Sequence, residues 1–104
     1  MSDLDKARRE GTRWLLLISL NRARPIGCSD AILLDVVNAL YPRTTVVELH
    51  SQLEYLQNKK LVEIDRKPDG HWNSKLNSEG IDVVEYTTEC PPGIARPAKY
   101  WEGN

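Results

Sequence analysis

The apolar pattern of this chain changes from a helical to a strand period at Leu61, and that change sets what the chain can fold into. Before it, apolar residues recur at three- and four-residue steps, as on one face of a helix. After it, Leu61-Val62-Glu63-Ile64-Asp65-Arg66 alternates as a strand does. Lys67-Pro68-Asp69-Gly70 reads as a turn, because proline presets one dihedral and glycine takes a positive φ. His71 to Leu76 returns as a second strand, with Trp72, Ser74 and Leu76 on one side. The two strands make a β-hairpin, so the expected class is mainly α with a small β-hairpin.

Three helical stripes precede the hairpin. The first runs from Asp3 to Arg22 through Leu4, Ala7, Gly11, Trp14, Leu15 and Ile18. Its run Trp14 to Ile18, with Leu20, is apolar over more than one face. Such a helix is either central to its fold or covered by another subunit. On the second reading Leu16, Leu17 and Leu20 form a homodimer seam. Pro25 disfavours helical geometry at Arg24. Ser29 caps a second helix, with Asp30 in its first turn and its apolar run from Ala31 to Leu40, stopped by Tyr41-Pro42. Thr45 and Glu48 fit a capping box for a third helix. Val46, Leu49, Leu53 and Leu56 form its core stripe, and Thr45, Glu48, Ser51, Gln52, Tyr55 and Lys59 lie on or near the other side. Asn77 to Gly80 introduces a last helix, Ile81 to Thr87, with Ile81, Val84 and Tyr86 or Thr88 as contacts; Gly80 weakens it.

Length and composition bound the rest. The 104 residues fit one domain, here residues 1–88, followed by a proline-containing tail at 89–104. Ile94, Tyr100 and Trp101 are apolar anchors that should pack the tail on the domain or on a partner. At 40% hydrophobic and 28% charged residues the chain has a globular composition. No apolar run approaches the ~20 residues of a membrane span, and no signal-peptide pattern is present, so a cytoplasmic protein is expected. Cys28 and Cys90 read as reduced thiols, with no disulfide framework or metal spacing. The net charge of −1 is uneven: residues 1–24 and 59–76 are basic on balance, residues 25–58 and 77–104 acidic. A nucleic-acid footprint would therefore have to be a local patch.

The order helix, helix, tight turn, helix, hairpin, helix resembles a winged helix-turn-helix. Leu53 to Val62 resembles the helix-to-strand junction of winged-helix regulators, with Lys60 where glycine is common. Leu76-Asn77-Ser78-Glu79-Gly80-Ile81 resembles the segment that ends the wing in MarR- and PadR-like families. His71 to Val83 and the tail Pro92-Gly93-Ile94-Ala95-Arg96-Pro97 resemble small winged-helix proteins of Mu-like phages and prophages. That resemblance implies a bacterial host and a transcriptional regulator or accessory factor.

On such a fold the third helix enters the major groove and the wing touches the backbone or minor groove. The expected duplex-DNA contacts are Arg43, Thr45, Ser51, Gln52, Tyr55, Lys59, Arg66, Lys67 and His71, with Lys60 and Lys75 as further phosphate contacts. Glu48, Glu54 and Asp69 oppose them, so a monomer should bind weakly and a homodimer better. The alternative is a protein-interaction module that binds another phage or host protein. No catalytic residue, metal site or cofactor is expected: His50 and His71 lack ligand-spaced neighbours, and no phosphate-binding glycine loop is present.

Overall fold

The computed structural model describes residues 2–99. It is an α+β fold of four helices and a three-stranded antiparallel sheet. Helix α1 spans Asp3–Arg22, β1 Cys28–Ser29, α2 Asp30–Leu40, α3 Val46–Asn58, β2 Val62–Arg66, β3 Trp72–Leu76 and α4 Ser78–Val84. The sheet order is β1-β3-β2, with Val62 opposite Leu76 and Arg66 opposite Trp72.

Side-chain caps start every helix. Ser2, Ser29, Thr45 and Asn77 each accept from a backbone amide of the first turn, satisfying a donor that has no intrahelical partner. Thr45 carries out half of the expected capping box: its oxygen accepts from the Glu48 amide at 3.1 Å. The Glu48 carboxylate instead takes the Thr45 hydroxyl at 3.3 Å and pairs with Arg8.

Helix α1 is the centre of the fold and contacts α2, α3, α4 and β3. Leu16, Leu17 and Leu20 are 0% exposed and join Leu33, Val37, Leu49, Leu53 and Leu56 in one core. The wide apolar surface of α1 is thus consumed within the monomer, and these three leucines offer no surface for a homodimer seam. Trp14 and Trp72 pack partly buried against the same core. Val46, expected in the core stripe of α3, is exposed, because the first turn of that helix projects beyond the core that Leu49, Leu53 and Leu56 fill.

Two junctions set the ends of the helices beside the hairpin. Lys60 follows α3 with φ +62°, its amide bonding Gln57 O and the Leu61 amide bonding Leu56 O. This paired pattern satisfies the last carbonyls of the helix and needs a left-handed residue at Lys60. Tyr86 repeats it after α4, at φ +62°. Asn77 caps α4 and also donates its side-chain amide to Lys60 O, which ties α4 to that junction. The last helix therefore begins and ends about three residues earlier than its apolar pattern predicts, and Val83 is its buried contact. Gly80 is required here, since a Cβ would collide with the Leu61 carbonyl. Gly27, at φ +92° and hard against Ser74 O, brings β1 to β3.

The tail packs on the domain as far as it is described. Ile94 is buried, the Ala95 amide bonds Glu10 O, and Arg96 donates to Val83 O and Thr88 O. Tyr100 and Trp101 lie outside the described residues.

Candidate nucleic-acid interface

The turn between α2 and α3 is short and held by side chains. Asn38 clamps Thr44 from both sides, accepting from its amide at 2.9 Å and donating to its carbonyl at 3.3 Å. Thr44 also donates to Tyr41 O and accepts from Arg8. Arg43 stands exposed in this turn at φ +70°. Beyond it, α3 presents Val47, Ser51, Glu54 and Asn58 to solvent at four- and three-residue steps, with Val47 74% exposed. Leu49, Leu53 and Leu56 face the opposite way, so the helix has one outward stripe, polar except for Val47.

The β2–β3 hairpin lies beside that stripe. Arg66 donates to Gln57 Oε1 at 3.0 Å and pairs with Glu54 at 3.5 Å, both on α3. Its guanidinium sits 4.4 Å over the Trp72 ring. Lys67 pairs with Asp65 at 2.7 Å, and the hydrogen bond and charge of that carboxylate push its ammonium pKa up. Arg8 and Glu48 pair at 3.4 Å. Several cations on this side thus already have a carboxylate partner. These pairs are exposed, and exposed pairs exchange readily with other anions.

The expected contact residues divide into two groups. Arg43, Thr45, Ser51, Lys59, Arg66, Lys67 and His71 are exposed on or beside α3 and the hairpin. Lys59 also lies 5.5 Å from the Tyr55 ring. Gln52 and Tyr55 face inward instead. Arg13 of α1 donates to Gln52 Oε1 at 2.7 Å and stacks 3.5 Å over Tyr55. Arg13 also donates to Gly93 O, and the Tyr55 hydroxyl donates to Pro92 O. Tyr55 fastens the tail to α3 and Gln52 is held by Arg13, so neither is aimed at a base. Helix spacing alone leaves them on the outer side; Arg13 and the tail decide otherwise.

One polar cluster was missed from the sequence. Asp30 is the first residue of α2, 2% exposed, yet it receives three donors. His50 of α3 approaches its Oδ2 at 2.7 Å, the Trp72 amide reaches Oδ2 at 3.0 Å, and His71 approaches Oδ1 at 3.3 Å. His50 stacks flat on Trp72, ring centroids 3.7 Å apart. Burial works against the Asp30 charge, but the bonds from His50, Trp72 and His71 outweigh it and hold the carboxyl below its ordinary value. The signal in the sequence was weak: His50 sits beside Leu49 on a core-facing helix, and Trp72 on the inward side of the hairpin. No group of three metal-ligating side chains with suitable geometry occurs among the described residues.

Away from this face, an apolar groove of about 490 Å³ runs between α1 and α2, lined by Leu15, Ile18, Ile32, Leu33 and Val36 among others. Cys28 also lines it, and burial pushes its thiol pKa up, the opposite of an activated nucleophile. No helix of the described residues is long and apolar enough to cross a membrane. No family model matches the chain, and no curated protein matches it.

Proposed function

We propose that this chain is a winged-helix protein that binds duplex DNA, acting in the cytoplasm as a phage-type transcriptional regulator or accessory factor. One observation carries the reading. A tight turn joins α2 to α3, and the hairpin that follows lies directly beside the outward stripe of α3. Helix and hairpin can then meet one duplex together, the helix in the major groove and the hairpin against the backbone. The order α1-β1-α2-α3-β2-β3, with β3 between β1 and β2, agrees with it.

In this reading Thr45, Ser51 and Asn58 approach base edges, where asparagine pairs with adenine, and Val47 meets thymine methyl groups. Arg43, Lys59, Arg66 and Lys67 contact phosphates, with His71 beside them at the tip of the wing. The net charge of −1 gives no long-range attraction, so affinity depends on this local patch and on pairing of two copies. The three core leucines of α1 take no part in that pairing.

A second reading is a protein-interaction module on the same fold. The α1–α2 groove favours it, since Ile32 stands 57% exposed at its edge. Fluorescence anisotropy with mixed-sequence duplex DNA at two salt concentrations decides between them. Micromolar binding that weakens steeply with salt supports the DNA reading; absence of binding at both salts by folded protein overturns it.

A further inference from the structure

The β1–β3 ladder pairs Cys28 with Ser74 and Ser29 with Asn73, and the next rung in that register is Asp30 opposite Trp72. At Asp30 the chain has already turned into α2, so its backbone carbonyl is committed to the helix. The side chain takes over: the Asp30 carboxylate accepts the Trp72 amide at 3.0 Å. Buried amides need a partner, and this one is supplied by a side chain rather than by a strand. The same carboxylate holds His50 on α3 and His71 at the foot of the turn. It therefore joins the start of α2, the middle of α3 and the far end of the hairpin in one cluster.

We propose that Asp30 is a positioning residue that latches the far end of the hairpin to the helices and so fixes its angle to α3. The need for a latch follows from the hairpin itself. A two-stranded hairpin is marginal in isolation, and β1 supports β3 over two residues only, both on the near side of Trp72. Past that point the cluster around Asp30 and the contacts of Arg66 hold the strands down. The charged groups facing the cluster are few. Arg66 lies over Trp72 and is shared with Glu54, and Asp69 accepts from the His71 amide. Neither bonds the Asp30 carboxylate, so among the described residues no neighbouring carboxylate substitutes for it. This inference concerns attachment of the hairpin and does not depend on DNA being the ligand.

The test is amide hydrogen exchange on the full chain, parent against Asp30→Asn. Asparagine offers one acceptor oxygen to three donors, and its NH₂ meets the donors that the second oxygen received. Latching predicts that amides of residues 62–76 lose protection at least about tenfold more than amides in the middle of α1. Equal loss in both regions means that Asp30 contributes only to global stability, and no loss means that it holds nothing; either result overturns the proposal. If Asp30→Asn does not fold, His50→Phe and His71→Phe carry the same comparison, because each replaces a donor ring by one without a donor, removing one grip and leaving the Trp72 bond. A loss confined to residues 62–76 supports the latch, and an even or absent loss overturns it.

Discussion

Arg13 lies 3.5 Å over the Tyr55 ring, and Arg66 lies 4.4 Å over the Trp72 ring. Both arginines also bond a glutamine of α3, Arg13 to Gln52 and Arg66 to Gln57. Their surroundings differ. Arg13 is half-buried, its other hydrogen bond goes to the neutral carbonyl of Gly93, and burial pulls its pKa down. Arg66 is exposed and shares the Glu54 carboxylate with solvent. The same guanidinium-on-aromatic contact is thus a fixed fastener on one flank of α3 and an exchangeable one on the other. A phosphate can replace Glu54 at Arg66 at little cost, whereas nothing enters at Arg13 without lifting the tail.

The largest effect that sharpens this contrast is Arg13→Ala. It removes hydrogen bonds from two partly buried acceptors and one of the ties of the tail, and should cost about 2–3 kcal/mol in urea unfolding. A cost equal to that of Arg66→Ala would break the contrast. The next effect concerns the other attachment of the hairpin. The folded-state pKa of Asp30 lies below its unfolded value, so the native state binds fewer protons there than the unfolded chain. Its stabilisation is fully present above about pH 4, the unfolded carboxylate range, and is lost as pH falls through the lower folded value. Unfolding curves of the parent and Asp30→Asn should therefore draw together as pH falls below about 4.

Arg66→Ala should cost about 1 kcal/mol or less in stability, since its ion pair and ring contact are both exposed. Its effect on DNA binding should be the larger one. Glu54→Gln gives the smallest change: stability close to the parent, and duplex affinity raised about two- to fivefold, because the carboxylate no longer competes with phosphate for Arg66. An unchanged affinity would mean that Arg66 does not face phosphate.

Most elements of this fold are written locally. The stripes of α1, α2 and α3 fix their faces, the Ser29 and Thr45 caps fix where two of them start, and Pro68-Asp69-Gly70 fixes the turn of the hairpin. What was not legible depends on distant partners. Strand β1 has two residues and no pattern of its own; it exists because β3 offers it an edge. Gln52 and Tyr55 have the spacing of an outer face, and only Arg13 and the tail carbonyls at Pro92 and Gly93 turn them inward. Asp30 looks like an ordinary first-turn acid until His50, His71 and Trp72 arrive from two other elements. Lys60 is the intermediate case. Its φ of +62° is one that glycine takes most easily, yet the sequence carries a lysine there.

The central claim is that the hairpin cations and α3 meet one duplex together. It is tested most directly by measuring duplex affinity against salt for the parent and for the double variant Arg66→Glu, Lys67→Glu. Loss of two phosphate contacts should weaken binding uniformly across sequences and flatten the logarithmic salt slope by about two. Identical affinity and slope in a folded double variant would contradict the account, and would leave the hairpin outside any DNA interface.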